Sequence, residues 1–124
     1  ALNIETTSHE QVENFGCLLY DSDLAFVGGG TTMIEAACLG TPAVVLPQNV
    51  GERHFATIFA ESGAVLVSPE RSDEVVSMIK NTLSECADES IRRKMSDAGK
   101  RAIDGRGGER IIDALLSSFS SRKP

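Results

Sequence analysis

The sequence is poor in the groups that make catalysis self-contained. Its three cysteines, Cys17, Cys38 and Cys86, show neither C-x-x-C nor metal-ligand spacing. They read as small buried hydrophobes in a reducing compartment. Imidazole comes only from His9 and His54. No Ser-His-Asp set, no carboxylate pair beside an obvious groove and no metal cluster emerges from the pattern, so catalytic residues stay unassigned and neither a metal nor another cofactor is called for. Positive charge is scarce as well, with 12 Lys and Arg against 18 Asp and Glu and a net charge of −6. That argues against nucleic acid or an anionic membrane surface as partner, since either would want a basic stripe. No apolar run approaches about 18 residues and no charged-then-apolar leader opens the chain, so the expectation is neither a membrane span nor a signal peptide, and a cytoplasmic location. At 124 residues the chain is one domain by length, with room for a single core but short for a complete doubly wound fold.

What is present is organised around residues 23–47. A continuous apolar run (24–27) reads as a strand with both faces covered. Gly28, Gly29 and Gly30 follow, then a short helix opening at Thr31 and Thr32, a tight exit at Gly40, and a second apolar strand over 43–46. That is a complete β-α-β unit. Three glycines let a ligand approach without Cβ atoms in the way and permit positive φ, while a threonine hydroxyl can cap the helix. The loop leaves a strand end and runs into a helix N-terminus, where an anion gains about 0.3 to 2 kcal/mol from the dipole; phosphate is the natural candidate. Glu35 lies one turn into the helix. It would suit a ribose diol beside a phosphate, as in dinucleotide folds, or simply complement the helix dipole on a solvated face. Three glycines after a strand are, on their own, a weak signal.

Around this unit, 2–5 alternates like a short strand. Ser8 and Gln11 form a capping-box pattern ahead of Val12, Phe15 and Leu19 at helical spacing. Gln48, Asn49, Val50, Gly51, Glu52, Arg53 and His54 form a polar loop leaving the second strand, where ligands gather in open α/β sheets, so Asn49, Arg53 and His54 join the candidates. The competing reading is a solvated loop with His54 near a helix start. Phe55, Ile58 and Phe59 read as a core-facing stripe closed by Gly63, and 64–67 as the last strand. Ser72 caps a helix whose inner side is Val75, Val76, Met78, Ile79 and Leu83. Another runs from about Asp88 through Ile91, Met95 and Ala98 to Ala102, and a final one carries Ile111, Ile112, Leu115, Leu116 and Phe119. Strands alternating with helices imply α/β architecture, a Rossmann-like three-layer parallel sheet of about four strands and five helices. The Ser-rich end, 117–124, is expected to fray.

The stretch 21–47, DSDLAFVGGGTTMIEAACLGTPAVVLP, resembles the nucleotide-sugar-binding signature in the C-terminal domain of GT-B glycosyltransferases. It is most similar to the branch holding the UDP-sugar hydrolase of pseudaminic acid synthesis and the spore-coat polysaccharide proteins, and IDGRGGERI at 103–111 resembles that branch's closing segment. The resemblance implies a diphosphate held at Gly29, Gly30, Thr31 and Thr32 and a ribose held by Glu35. The branch commonly shows an Asn-Gln pair in the following loop, where this chain has Gln48-Asn49, so no family role passes to individual residues there. Residues 1–116 would then be a partial GT-B C-terminal domain lacking two strands, with UDP or a UDP-sugar, the parent's missing N-terminal domain and a second copy as expected partners. The chain alone is expected to be inactive, since both walls of the cleft are needed to position reacting groups. Two other readings compete: a fragment of a UDP-GlcNAc 2-epimerase-type enzyme, and a non-catalytic interaction module that kept the fold.

Overall fold

A computed structural model describes residues 5–70 and 72–120. In chain order the elements are α1 (Phe15–Tyr20), β1 (Ala25–Val27), α2 (Thr31–Leu39), β2 (Ala43–Val45), α3 (Val50–Ala60), β3 (Val65–Val67), α4 (Ser72–Glu85), α5 (Glu89–Ala102) and α6 (Gly107–Ser120). The strands form one parallel sheet in the order β1-β2-β3, with Ala25 beside Ala43 and Ala43 beside Val65. Consecutive strands lie side by side and each connection contains a helix, as crossovers between parallel strands require. The α/β, Rossmann-like expectation holds. Among the described residues there are three strands and six helices, against about four and five expected. The strand expected over 2–5 lies largely outside the described residues, and Glu5, the part that is described, is exposed and outside any strand.

The core lies on the sheet face carrying Ala25, Val27, Ala43, Val45, Val65 and Val67, against Met33, Ala36 and Ala37 of α2, Ala56 of α3 and Ala98 of α5. Small residues dominate because α2 is approached closely from two sides. A Cβ on Gly99 of α5 would lie 2.7 Å from the Ala37 carbonyl oxygen, so only glycine lets α5 seat there. Helix α2 ends in a Schellman motif. Gly40 takes φ +80°, its N–H donates to Ala37, and the Thr41 N–H reaches the Ala36 carbonyl at 2.8 Å. The Thr41 hydroxyl, buried, then donates to the Leu19 carbonyl at 2.7 Å and fastens α1 to that exit.

Several local expectations fail for tertiary reasons. The Ser8–Gln11 capping box caps nothing: Gln11 has φ +51° and the helix starts only at Phe15. On α3 the buried residue is Ala56, with Phe59 and Ala60 partly buried against the core, while Phe55 and Ile58 are exposed. On α4, Val76 and Leu83 are exposed, while Thr82 and, just past the helix end, Cys86 are buried instead. Helix α5 keeps its expected start, with Asp88 as N-cap accepting the Ser90 N–H at 2.8 Å. Helix α6 runs on through Ser117 and Ser118, whose hydroxyls donate to the carbonyls one turn back, to Ser120. It has no buried residue. No helix among the described residues is long and apolar enough to cross a membrane.

Candidate functional site

The candidate residues converge at the C-terminal ends of the three strands, where parallel sheets present their ligand-binding loops. Residues 28–30 join β1 to α2, 46–49 join β2 to α3, and 68–70 follow β3.

In the first loop none of the three glycines takes a positive φ. What the loop uses is the missing Cβ. Gly29 is buried, and a Cβ there would lie 2.6 Å from Glu52 Cβ, so the glycine admits the first turn of α3. Gly30, extended at φ −91° and ψ −154°, is the N-cap of α2. Thr31, expected as the cap, is instead the first helical residue, and no side chain caps this helix. The N–H groups of Thr31 and Thr32, in the first turn, have no helix carbonyl within reach. Thr31 is exposed and Thr32 half-buried, so this end of α2 opens to solvent. Glu35 is exposed as well, four residues after Thr31 and therefore on the same side of the helix, below the loop mouth.

The first turn of α3, which follows the second loop, contains the residue that the sequence pattern did not single out. Glu52 Oε2 accepts the Gly29 N–H at 3.1 Å and the Gln48 N–H at 2.9 Å. Its Oε1 accepts the Asn49 side-chain amide at 3.1 Å, and Asn49 Oδ1 in turn accepts the Glu52 N–H at 2.9 Å. Asn49 is thus the N-cap of α3 and Glu52 its reciprocal partner, a capping box extended into the neighbouring loop. The Gln48 N–H, then the Gly29 N–H and the Asn49 amide, hold the Glu52 carboxyl below its ordinary range, against a smaller opposing effect of desolvation. The Asn-x-x-Glu spacing at 49–52 was a readable signal for the cap, though not for its reach to Gly29.

Arg53 faces the other way. Its guanidinium donates to the Ser68 carbonyl at 2.7 Å and the Pro69 carbonyl at 3.3 Å, and lies 3.7 Å from Glu70. It is committed to fixing the chain after β3. His54 is exposed beside it, on the rim of an open depression of about 440 Å³ that Gln48, Asn49, Arg53 and Glu70 also line. The structure therefore brings Gly29 together with Asn49 through Glu52, leaves Gly30, Thr31, Thr32 and Glu35 on the open end of α2, and assigns Arg53 to the exit of β3. Among the described residues no three His, Cys, Asp or Glu side chains are grouped to hold a metal ion.

Over 116 residues the chain is 30% identical to the spore coat polysaccharide biosynthesis protein SpsG of Bacillus subtilis (strain 168), covering 89% of this chain and 33% of that protein. Over 97 residues it is 27% identical to the UDP-N-acetylglucosamine--N-acetylmuramyl-(pentapeptide) pyrophosphoryl-undecaprenol N-acetylglucosamine transferase of Acidiphilium cryptum (strain JF-5), covering 76% of this chain and 26% of that protein. Both similarities support a glycosyltransferase-like family. The chain spans about a third of the length of the first relative and about a quarter of the second. No family model matches it, and no solved structure does.

Proposed function

We propose that this chain is the nucleotide-sugar-binding part of a glycosyltransferase or nucleotide-sugar hydrolase of the GT-B type, acting in surface-polysaccharide or nonulosonic-acid synthesis. The observation that carries the reading is the N-terminus of α2, which follows β1 through the glycine loop at the end of a parallel sheet, has no side-chain cap and opens with an exposed Thr31 and a half-buried Thr32. Such an end takes a diphosphate without side-chain cations, which suits a chain of net charge −6. Glu35, exposed one turn further along, takes the ribose hydroxyls. The names of the two relatives, one a polysaccharide biosynthesis protein and one a transferase of N-acetylglucosamine, support UDP-linked sugars as the ligand class. Arg53, held by the carbonyls after β3, has no part in the diphosphate contact.

Calorimetric titration of UDP into the wild type and Glu35→Ala tests the assignment. Losing a charge-assisted hydrogen bond costs about 1.5 to 3 kcal/mol, a roughly tenfold to hundredfold rise in Kd. Equal affinities would remove Glu35 from the site.

A further inference from the structure

The Gly-rich loop already holds an anion, and it belongs to the protein. Glu52 Oε2 accepts N–H groups from two different strand-end loops, Gly29 after β1 and Gln48 after β2. The carboxylate is not a side chain resting there by chance: Asn49 grips it at Oε1 and its backbone N–H together, and Gly29 leaves no space between the loop and the Glu52 stem. Its charge is held by N–H donors rather than by the adjacent Arg53, which is turned to Ser68, Pro69 and Glu70. The next N–H groups along the loop are those of the open α2 end.

We propose that Glu52 is a charge gate on the diphosphate site, an internal carboxylate that engages the Gly29 N–H and repels the ligand's phosphates until they displace it. This rests on the diphosphate reading above. The gate weakens the binding of the charged end of the ligand while leaving its nucleoside end untouched, which favours release of a product that carries phosphate. One fixed negative charge about 6 Å from a phosphate, in the partly solvated mouth of the loop, is worth roughly tenfold in affinity.

The test titrates UDP and uridine by calorimetry into the full chain as wild type, Glu52→Gln and Glu52→Ala, with circular dichroism as the check on folding. Glu52→Gln keeps the volume and one acceptor while removing the charge. The expected result is about tenfold tighter UDP binding in Glu52→Gln and unchanged uridine binding. UDP binding that is equal or weaker in both variants overturns the gate and leaves Glu52 as a loop brace; an equal gain for uridine overturns it too, since the effect would not act through charge. Binding of UDP by none of the three proteins removes the diphosphate reading and the gate with it. The wild type gives a second reading independent of the variants. On saturation with UDP the Gly29 and Gln48 amide resonances shift as the carboxylate leaves, and resonances that stay in place overturn the displacement.

Discussion

Helices α2 and α6 are both apolar along one side, and they end in opposite circumstances. Helix α2 packs against α1, α5, β1 and β2 and buries Met33, Ala36 and Ala37 almost completely. Helix α6 is five residues longer than α2 and carries Ile111, Ile112, Leu115, Leu116 and Phe119, every one of them more than half exposed. The difference lies in shape as much as in hydrophobicity. The small residues of α2 allow sheet and α5 to come close at once, as Gly99 against Ala37 shows. The large residues of α6 would need a partner with matching hollows, and none of the described elements offers one. An apolar stripe states that a face can be buried; it does not state against what.

The largest expected effect separates the two helices directly. Met33→Ala should destabilise the chain by about 2 to 5 kcal/mol, because it removes a fully buried side chain from a tight core, whereas Leu115→Ala should cost less than about 0.5 kcal/mol. Urea denaturation of both variants decides it, and comparable losses would mean that α6 is part of the cooperative core after all. A smaller effect sits at the exit of α2. Thr41→Val keeps the shape but removes the hydroxyl that donates to the Leu19 carbonyl, which keeps the Ser22 N–H at 3.1 Å, so the cost is that of one hydrogen bond, about 0.5 to 1.5 kcal/mol. A variant as stable as the wild type would show that α1 does not depend on this fastening.

The smallest effect is in acid. Glu52, near α2, is held below its ordinary value of 4.5 chiefly by the Gln48 N–H, and Asp104, at the base of α6, below its ordinary value of 3.8 chiefly by the Arg110 guanidinium. A carboxyl whose folded pKa is depressed contributes stability that is complete above its unfolded pKa and is lost as pH falls toward and through the folded value. The urea midpoint should therefore drop on acidification from pH 5. Glu52→Gln should remove part of that drop, since Glu52 ties together two loops of the core unit. Asp104→Asn should leave the drop almost unchanged, since its ion pair with Arg110 braces a helix that is not packed on the core. A reversal of that order would break the contrast between the two regions.

The central unit was legible because its signals are local and agree: apolar strands, a glycine loop, a helix of small residues and Gly40 at the left-handed exit. The α5 start at Asp88 was legible for the same reason. What misled was local pattern without a tertiary partner. Ser8 and Gln11 match a capping box, yet the segment is exposed and Gln11 turns the chain instead. On α3 the obvious apolar triplet was Phe55, Ile58 and Phe59, but the hydrogen bonds of Glu52 and Arg53 set the rotation of that helix and bring Ala56 to the core. The same contacts explain the site. Arg53 looked available from its loop position, and its commitment to Ser68 and Pro69 depends on where β3 ends, 15 residues away. Glu52 met Gly29 across 23 residues, a separation that spacing rules do not reach.

One consequence follows from the sheet order. Among the described residues strand β1 is paired on one side only, and its Ala25 N–H and Val27 carbonyl both turn toward β2. By the alternation of a parallel ladder, the N–H and carbonyl of Phe26 face outward, beside a ring that is itself 39% exposed. A strand added here would extend the sheet sideways, at right angles to the direction in which the strands point, whereas the glycine loop, Glu52 and Glu35 lie beyond the strand tips. Growth of the sheet and entry of a small molecule thus run along perpendicular axes, and lateral assembly at Phe26 would leave the mouth at Gly29 clear.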